Sequence, residues 1–256
     1  MAASIVGGGR FNAPGGSSSE AMYIGTEAFQ AGDCYLGIFK WDDSDSTATF
    51  ANAAETMSFT YLTERHHTAS GSALRMQIGY AQDLFASAAE DLFGVIADAR
   101  SNREAVGFLL RGVTAEPVVS SDNVSYVDAG ASLTLTAVDP GGAGIVLGVF
   151  VLHETGIAYT VPTGWTEAPD TFGTSSRIIV IYKQTTVAGN QTPSLTFASA
   201  CQAMGTSIAL AAIAEQAPTF VTGYLDASAR GKTGLTVLGW VADPSLELAT
   251  KWEGVA

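Results

Sequence analysis

Apolar positions along this chain come in short runs separated by glycine, proline and acidic turns, and the period of those runs is that of strands. Ile145–Leu152 is apolar throughout, rich in β-branched residues and too short for a helix that must bury one stripe, which predicts a core strand. Val161–Trp165 places a proline and a glycine where the chain must turn, with a tryptophan to close a core end. Arg177–Lys183 is a second apolar run capped by charges, Ala188–Gln191 is turn chemistry, and Pro193–Phe197 alternates polar with apolar as a half-exposed strand does. Thr206–Ile213 completes the set.

The first half repeats this pattern. Strands are expected at Ala21–Thr26, Cys34–Trp41, Thr56–Leu62, Ala73–Tyr80, Leu92–Ala97 and Ala105–Leu110. Only Asp83–Asp91 has helical spacing, with Leu84, Phe85, Ala88 and Leu92 on one face. Gly37–Phe39 answers to Gly148–Phe150 at a displacement of 111 (148 minus 37), and Ile78–Tyr80 to Val180–Tyr182 at 102 (180 minus 78). The second displacement carries Ala105–Leu110 onto Ser207–Ala212, so a duplication is expected, with about nine extra residues between Lys40 and Ser70 of the first copy.

These elements predict an all-β chain of two tandem antiparallel β-sandwich domains, immunoglobulin-like or jelly-roll-like, at residues 21–115 and 116–217. An N-terminal arm, residues 1–20, is too rich in glycine and serine to pack a core of its own. A C-terminal strand and tail, residues 218–256, holds strand-like pieces at Val221–Leu225 and Leu235–Val241. Leu246, Leu248, Trp252 and Val255 are apolar beyond the last sandwich strand, which marks them as candidate partner-docking residues.

Length agrees with this division, since 256 residues hold two domains of ordinary size. Charged residues make up 14% of the chain, against roughly 25% in an average soluble protein. A largely neutral surface suits a protein packed against copies of itself. A net charge of −13 excludes a nucleic-acid partner, whose affinity comes from counterions released by lysine and arginine. No run approaches the roughly 18 apolar residues of a membrane span, and the N-terminus lacks the pattern of a signal peptide, so synthesis and assembly in a cytoplasm are expected. Cys34 and Cys201 fall in unlike places and read as two buried thiols.

Candidate chemistry is sparse. Neighbouring strand residues such as His66 and His67 point to opposite sides, which is awkward for one metal. His153 and Glu154 lack a placed nucleophile. The loop Asp42–Asp45 has carboxylates without the distal glutamate of a calcium loop. No cofactor or metal is expected, and no catalytic set. Among the tryptophans, Trp165 and Trp41 sit at a corner and a strand end, where the ring either closes the sandwich or stacks on a sugar.

The run Val161–Trp165, Ile178–Lys183, Thr186–Gly189 and Pro193–Phe197 resembles small β-sandwich modules of bacteriophage virion proteins, including head-decoration, head-spike and tail-associated proteins. The resemblance covers about 70 residues of the second half, and reaches the first half through the internal repeat, where Asn52–Glu55 replaces the proline-glycine-tryptophan corner. It implies a non-enzymatic virion component, a decoration or spike on the capsid or tail, that contacts copies of itself and other virion subunits. The alternative it leaves open is a host-surface glycan-binding module of a tail fibre.

Overall fold

The structure is a computed structural model of the chain and describes residues 3–13, 19–23, 28–42, 48–52, 57–62, 65–69, 72–84, 91–96, 103–114, 118–119, 125–169 and 177–213. In chain order the strands of the first half are β1 (Ser4–Ala13), β2 (Ser19–Tyr23), β3 (Asp33–Asp42), β4 (Ala48–Asn52), β5 (Thr60–Tyr61), β6 (Arg65–Ala69), β7 (Ser72–Leu84), β8 (Asp91–Ile96) and β9 (Arg103–Arg111). Those of the second half are β10 (Val118–Val119), β11 (Ser125–Thr134), β12 (Gly144–Leu152), β13 (Tyr159–Thr160), β14 (Thr166–Glu167), β15 (Ile178–Thr185) and β16 (Ser194–Ala211). Among the described residues every regular element is a strand and every pairing is antiparallel, so the chain is all-β.

Two large sheets dominate. The first runs β1-β9-β3-β7-β5, with β6 also on β7; the second runs β10-β16-β12-β15-β14, with β11 and β13 also on β16. A small sheet, β2-β8-β4, belongs to the first half. The two large sheets share one core. Leu36, Ile38, Met76, Ile78, Val106 and Phe108 from the first and Ile145, Leu147, Val149, Val180, Ile208 and Leu210 from the second belong to a single buried cluster. Alternation puts these residues on one face of each strand, so the sheets pack face to face as layers of a sandwich. This central core crosses the boundary expected at residue 116. Two outer cores stay within their halves: Tyr35, Phe39, Trp41, Phe50 and Leu109 in the first, and Leu133, Phe150, Ile179, Ile181, Leu195 and Phe197 in the second. All the described residues fall in one compact unit, Met1–Ile213.

The registers give the strand correspondence between the halves. Leu36 pairs with Tyr80 and Leu147 with Tyr182, the displacements 111 and 102 read from the sequence. Gly37 pairs with Gly107 while Gly148 pairs with Ser207, a displacement of 100 (207 minus 107) where the sequence pattern gave 102. Alternating small and apolar residues leave a two-residue slip invisible, because it keeps every side chain on its face.

Four glycines, Gly9, Gly107, Gly37 and Gly79, stand in register across β1, β9, β3 and β7. Aromatic rings fill the trough they leave. A Cβ on Gly79 would meet Phe50 at 2.6 Å and one on Gly107 would meet the Tyr35 hydroxyl at 1.8 Å. The Tyr61 hydroxyl then accepts from Phe50 N at 2.8 Å, fixing β4 over the sheet. This explains why a glycine-rich arm forms a strand: Ser4–Ala13 pairs with β9. Two further expectations change. Asp83, Leu84 and Asp91 belong to strands β7 and β8, with residues 85–90 outside the described set. Pro193–Phe197 and Thr206–Ile213 are not separate strands, since β16 runs unbroken from Ser194 to Ala211, pairing with β11 and β13 along its first part and with β12 along its second. The corner at Val161–Trp165 is a tight turn, with Gly164 at φ 83° and Trp165 N donating to Pro162 O at 3.1 Å.

Candidate functional site

The densest polar chemistry lies at one end of the central core, where β3, β9, β12, β15 and β16 bring charged side chains between the layers. Even-numbered residues of β3 and β9 face the second sheet, as Leu36, Ile38 and Val106 do. Lys40, Asp42 and Glu104 continue that face, and Lys40 pairs with Glu104 across the strands. The Lys40 ammonium donates to Asp42 Oδ1. Both Glu104 oxygens accept main-chain donors from the other layer, Arg177 N at 2.9 Å and Ile178 N at 3.1 Å. His153, the residue after β12, brings Nδ1 to 3.9 Å from Asp42 Oδ2, and its own N–H donates to Gln202 O at 3.0 Å. Glu154 accepts from Gln202 N at 3.1 Å.

Burial sets the electrostatics. Desolvation pulls the Lys40 ammonium down to about 8, with the Asp42 carboxylate opposing the shift by charge and hydrogen bond and the Arg177 guanidinium adding to it. Burial likewise pushes the Cys201 thiol up to about 11, and the charge of Glu154 adds to the effect. Lys40 and Glu104 are enclosed, while the His153 side chain at the edge of the cluster is 29% exposed. The two Glu104 hydrogen bonds run between layers, which suits the cluster to joining them. At the opposite end Arg111 grips Asp33 with two hydrogen bonds of 2.8 Å, and Gln184 Nε2 donates across the layers to Ala3 O at 2.6 Å.

No family model matches this chain, and no curated protein or solved structure matches it either. Its chemistry is therefore read from its own residues.

Trp41 is fully buried beside Phe39, ring centroids 5.7 Å apart, and has no face open to a sugar. Trp165 is half-buried and packs against two clusters of the second half. Tyr159 Oη donates to Glu167 Oε1 at 2.6 Å beside it. Leu246, Leu248, Trp252 and Val255 lie outside the described residues, as do Asp43–Asp45 of the acidic loop. His66 and His67 are on β6, in register with Arg75 and Leu74. Cys34 and Cys201 are both buried and form no disulfide. Among the described residues no group of three His, Cys, Asp or Glu is placed to hold a metal ion.

The sequence pattern singled out neither Lys40 nor Glu104, and marked Arg177 as a charge that caps an apolar run. The available signal was their position: Lys40 sits between Phe39 and Trp41, and Glu104 directly precedes Ala105–Leu110. A charge inside a run whose neighbours are buried needs a partner in the core.

Proposed function

We propose that this chain is a non-enzymatic structural subunit of a bacteriophage virion, a decoration or spike-type component of the capsid or tail. Its two halves, of like strand order, contribute the two layers of one sandwich, and the chain docks onto copies of itself and neighbouring virion subunits. The observation that carries this reading is the use made of the charges. The Lys40–Asp42 pair lies within β3, the Arg111–Asp33 pair ties β9 to β3, and the Glu104 bonds tie the first layer to the start of β15; charges spent inside the fold in this way, together with the 14% charged content, support a largely neutral, assembly-prone exterior. The virion-like run of the sequence falls on the corner at Trp165, on β15 and on the start of β16, which supports the same reading. The like order of strands in the two large sheets favours duplication.

Docking through the tail segment, with Leu246, Leu248, Trp252 and Val255 as anchors, follows from their apolar character in a segment too short to fold alone. Deleting Asp243–Ala256 tests it: the shortened chain keeps its β-type circular dichroism and fails to enter particles. Normal incorporation of the shortened chain would remove the docking role, and absence of the full chain from particles would remove the virion reading.

A glycan-binding module of a tail fibre is the second reading, favoured by the half-open Trp165 at its corner. Binding to a glycan array that disappears in Trp165→Ala would support it, and a blank array with the parent chain would end it.

A further inference from the structure

The central interface joins two sheets with the same strand order and nearly the same apolar faces, so its apolar part alone does not dictate which face meets which. Leu36 pairs with Tyr80 as Leu147 pairs with Tyr182. Lys40 and Asp42, four and six residues past Leu36, therefore correspond to Val151 and His153, four and six past Leu147. Glu104, three before Gly107, corresponds to Met204, three before Ser207. At this end the first face carries a cation and two carboxylates where the second carries valine, histidine and methionine. Asp42 and His153, which hold equivalent positions, meet across the layers at 3.9 Å.

We propose that this charged end is the pairing code of the interface: it makes the first sheet select the second sheet of its own chain over the like face of a second copy. Two first faces brought together would set Asp42 against Asp42 and leave Glu104 without the Arg177 and Ile178 N–H groups it binds here. Two second faces would set His153 against His153 and leave those N–H groups without the Glu104 carboxylate. Either mismatch buries polar groups that have lost their partners, and that cost falls on the wrong pairing only. Buried ion pairs contribute little net stability against apolar replacements, and their best-attested use is to fix register and partner choice. The wrong pairing available to this chain is layer exchange with a second copy, because identical chains offer identical faces.

The test gives the first face the residues of the second, in Lys40→Val/Asp42→His/Glu104→Met of the full chain. The variant keeps a β-type spectrum and a cooperative unfolding transition, and light scattering after size-exclusion chromatography shows at least twice the parent's mass at equal concentration. The excess mass persists on dilution, since separating exchanged layers requires opening the core. A folded variant with the parent's mass would overturn the proposal. If the triple variant does not fold, Asp42→His alone decides: it raises the dimer fraction above the parent's, and Asp42→His/His153→Asp returns it to the parent's value. A single variant with no more dimer than the parent would equally overturn the proposal.

Discussion

Replacing Gly107 by alanine adds one methyl group where the structure has no room. An ideal Cβ there lies 1.8 Å from Tyr35 Oη, 2.6 Å from Cζ and 2.9 Å from Cε2, all inside ordinary van der Waals contact. Tyr35 is fully buried and meets Phe59 edge-on, with centroids 6.1 Å apart, so its ring has no vacant direction in which to withdraw. Gly107 also pairs with both Gly9 and Gly37, which leaves its backbone held on two sides. Overpacking of a filled core costs about 1–3 kcal/mol, and a clash with three ring atoms belongs at the upper end. For a unit of this size, about 3 kcal/mol lowers the melting temperature by roughly 6–12 °C. Gly142→Ala is the control, because a Cβ there meets nothing within 4 Å, and a surface change of that kind stays within about 0.5 kcal/mol. Thermal unfolding followed by circular dichroism compares the two. Removing the hydroxyl as well, in Tyr35→Phe/Gly107→Ala, gives a loss smaller than the sum of the single losses. If Gly107→Ala melts with the Gly142→Ala control, Tyr35 does not lie over the glycine row and the account of the first sheet's outer face is wrong.

Other expectations follow from the charged groups. Lys40 falls from a lysine's usual 10.5 to about 8 in the fold, so between those values the unfolded chain holds a proton that the folded chain has released, and stability rises with pH. Denaturant titrations of the parent and Lys40→Met measure this: their difference in unfolding free energy shifts in the parent's favour by about 3 kcal/mol from pH 8 to 10.5, and a flat difference would place Lys40 elsewhere. Glu104→Ala strips the acceptor from two main-chain N–H groups and unbalances the enclosed charges; a loss of about 3–5 kcal/mol is expected, with faster amide exchange at Arg177 and Ile178. Asp139 accepts from Gly141 N and Gly189 N, at 2.8 and 2.9 Å, and these bonds hold its carboxyl below the usual range. Its tie is complete above the ordinary aspartate range and is lost as pH falls through the lowered value, so the protection of those two amides against exchange, relative to the intrinsic rate at each pH, drops in acid and is already low in Asp139→Ala.

How far the sequence foretold the fold depended on whether a residue's neighbours were local. The apolar runs at Cys34–Trp41, Ala73–Tyr80, Ile145–Leu152 and Arg177–Lys183 overlap β3, β7, β12 and β15, because alternation and β-branching act within one strand. The turn at Gly164 was legible for the same reason. Ser4–Ala13 was not, since its three glycines mark a linker by composition and become strand only beside Gly107 and the aromatics over the trough. Ala198–Gly205 falls between two apolar runs and takes its place in one strand only beside β11 and β12. The charged cluster was the least legible feature: Lys40, Glu104 and Arg177 are far apart in sequence, and only the stacking of two sheets brings them to one end of a core. The joining of both halves in one core was hidden likewise, because Ile145–Leu152 looks the same whether it faces its own half or the other.

The virion role is tested most directly by imaging. Phage particles from cells producing this chain with a small gold-binding tag should be examined by negative-stain electron microscopy. Label at regularly repeated positions on the head or tail, lost when Asp243–Ala256 is deleted, is the predicted result. Purified particles that carry no label, from cells in which the tagged chain is abundant and folded, would contradict the account.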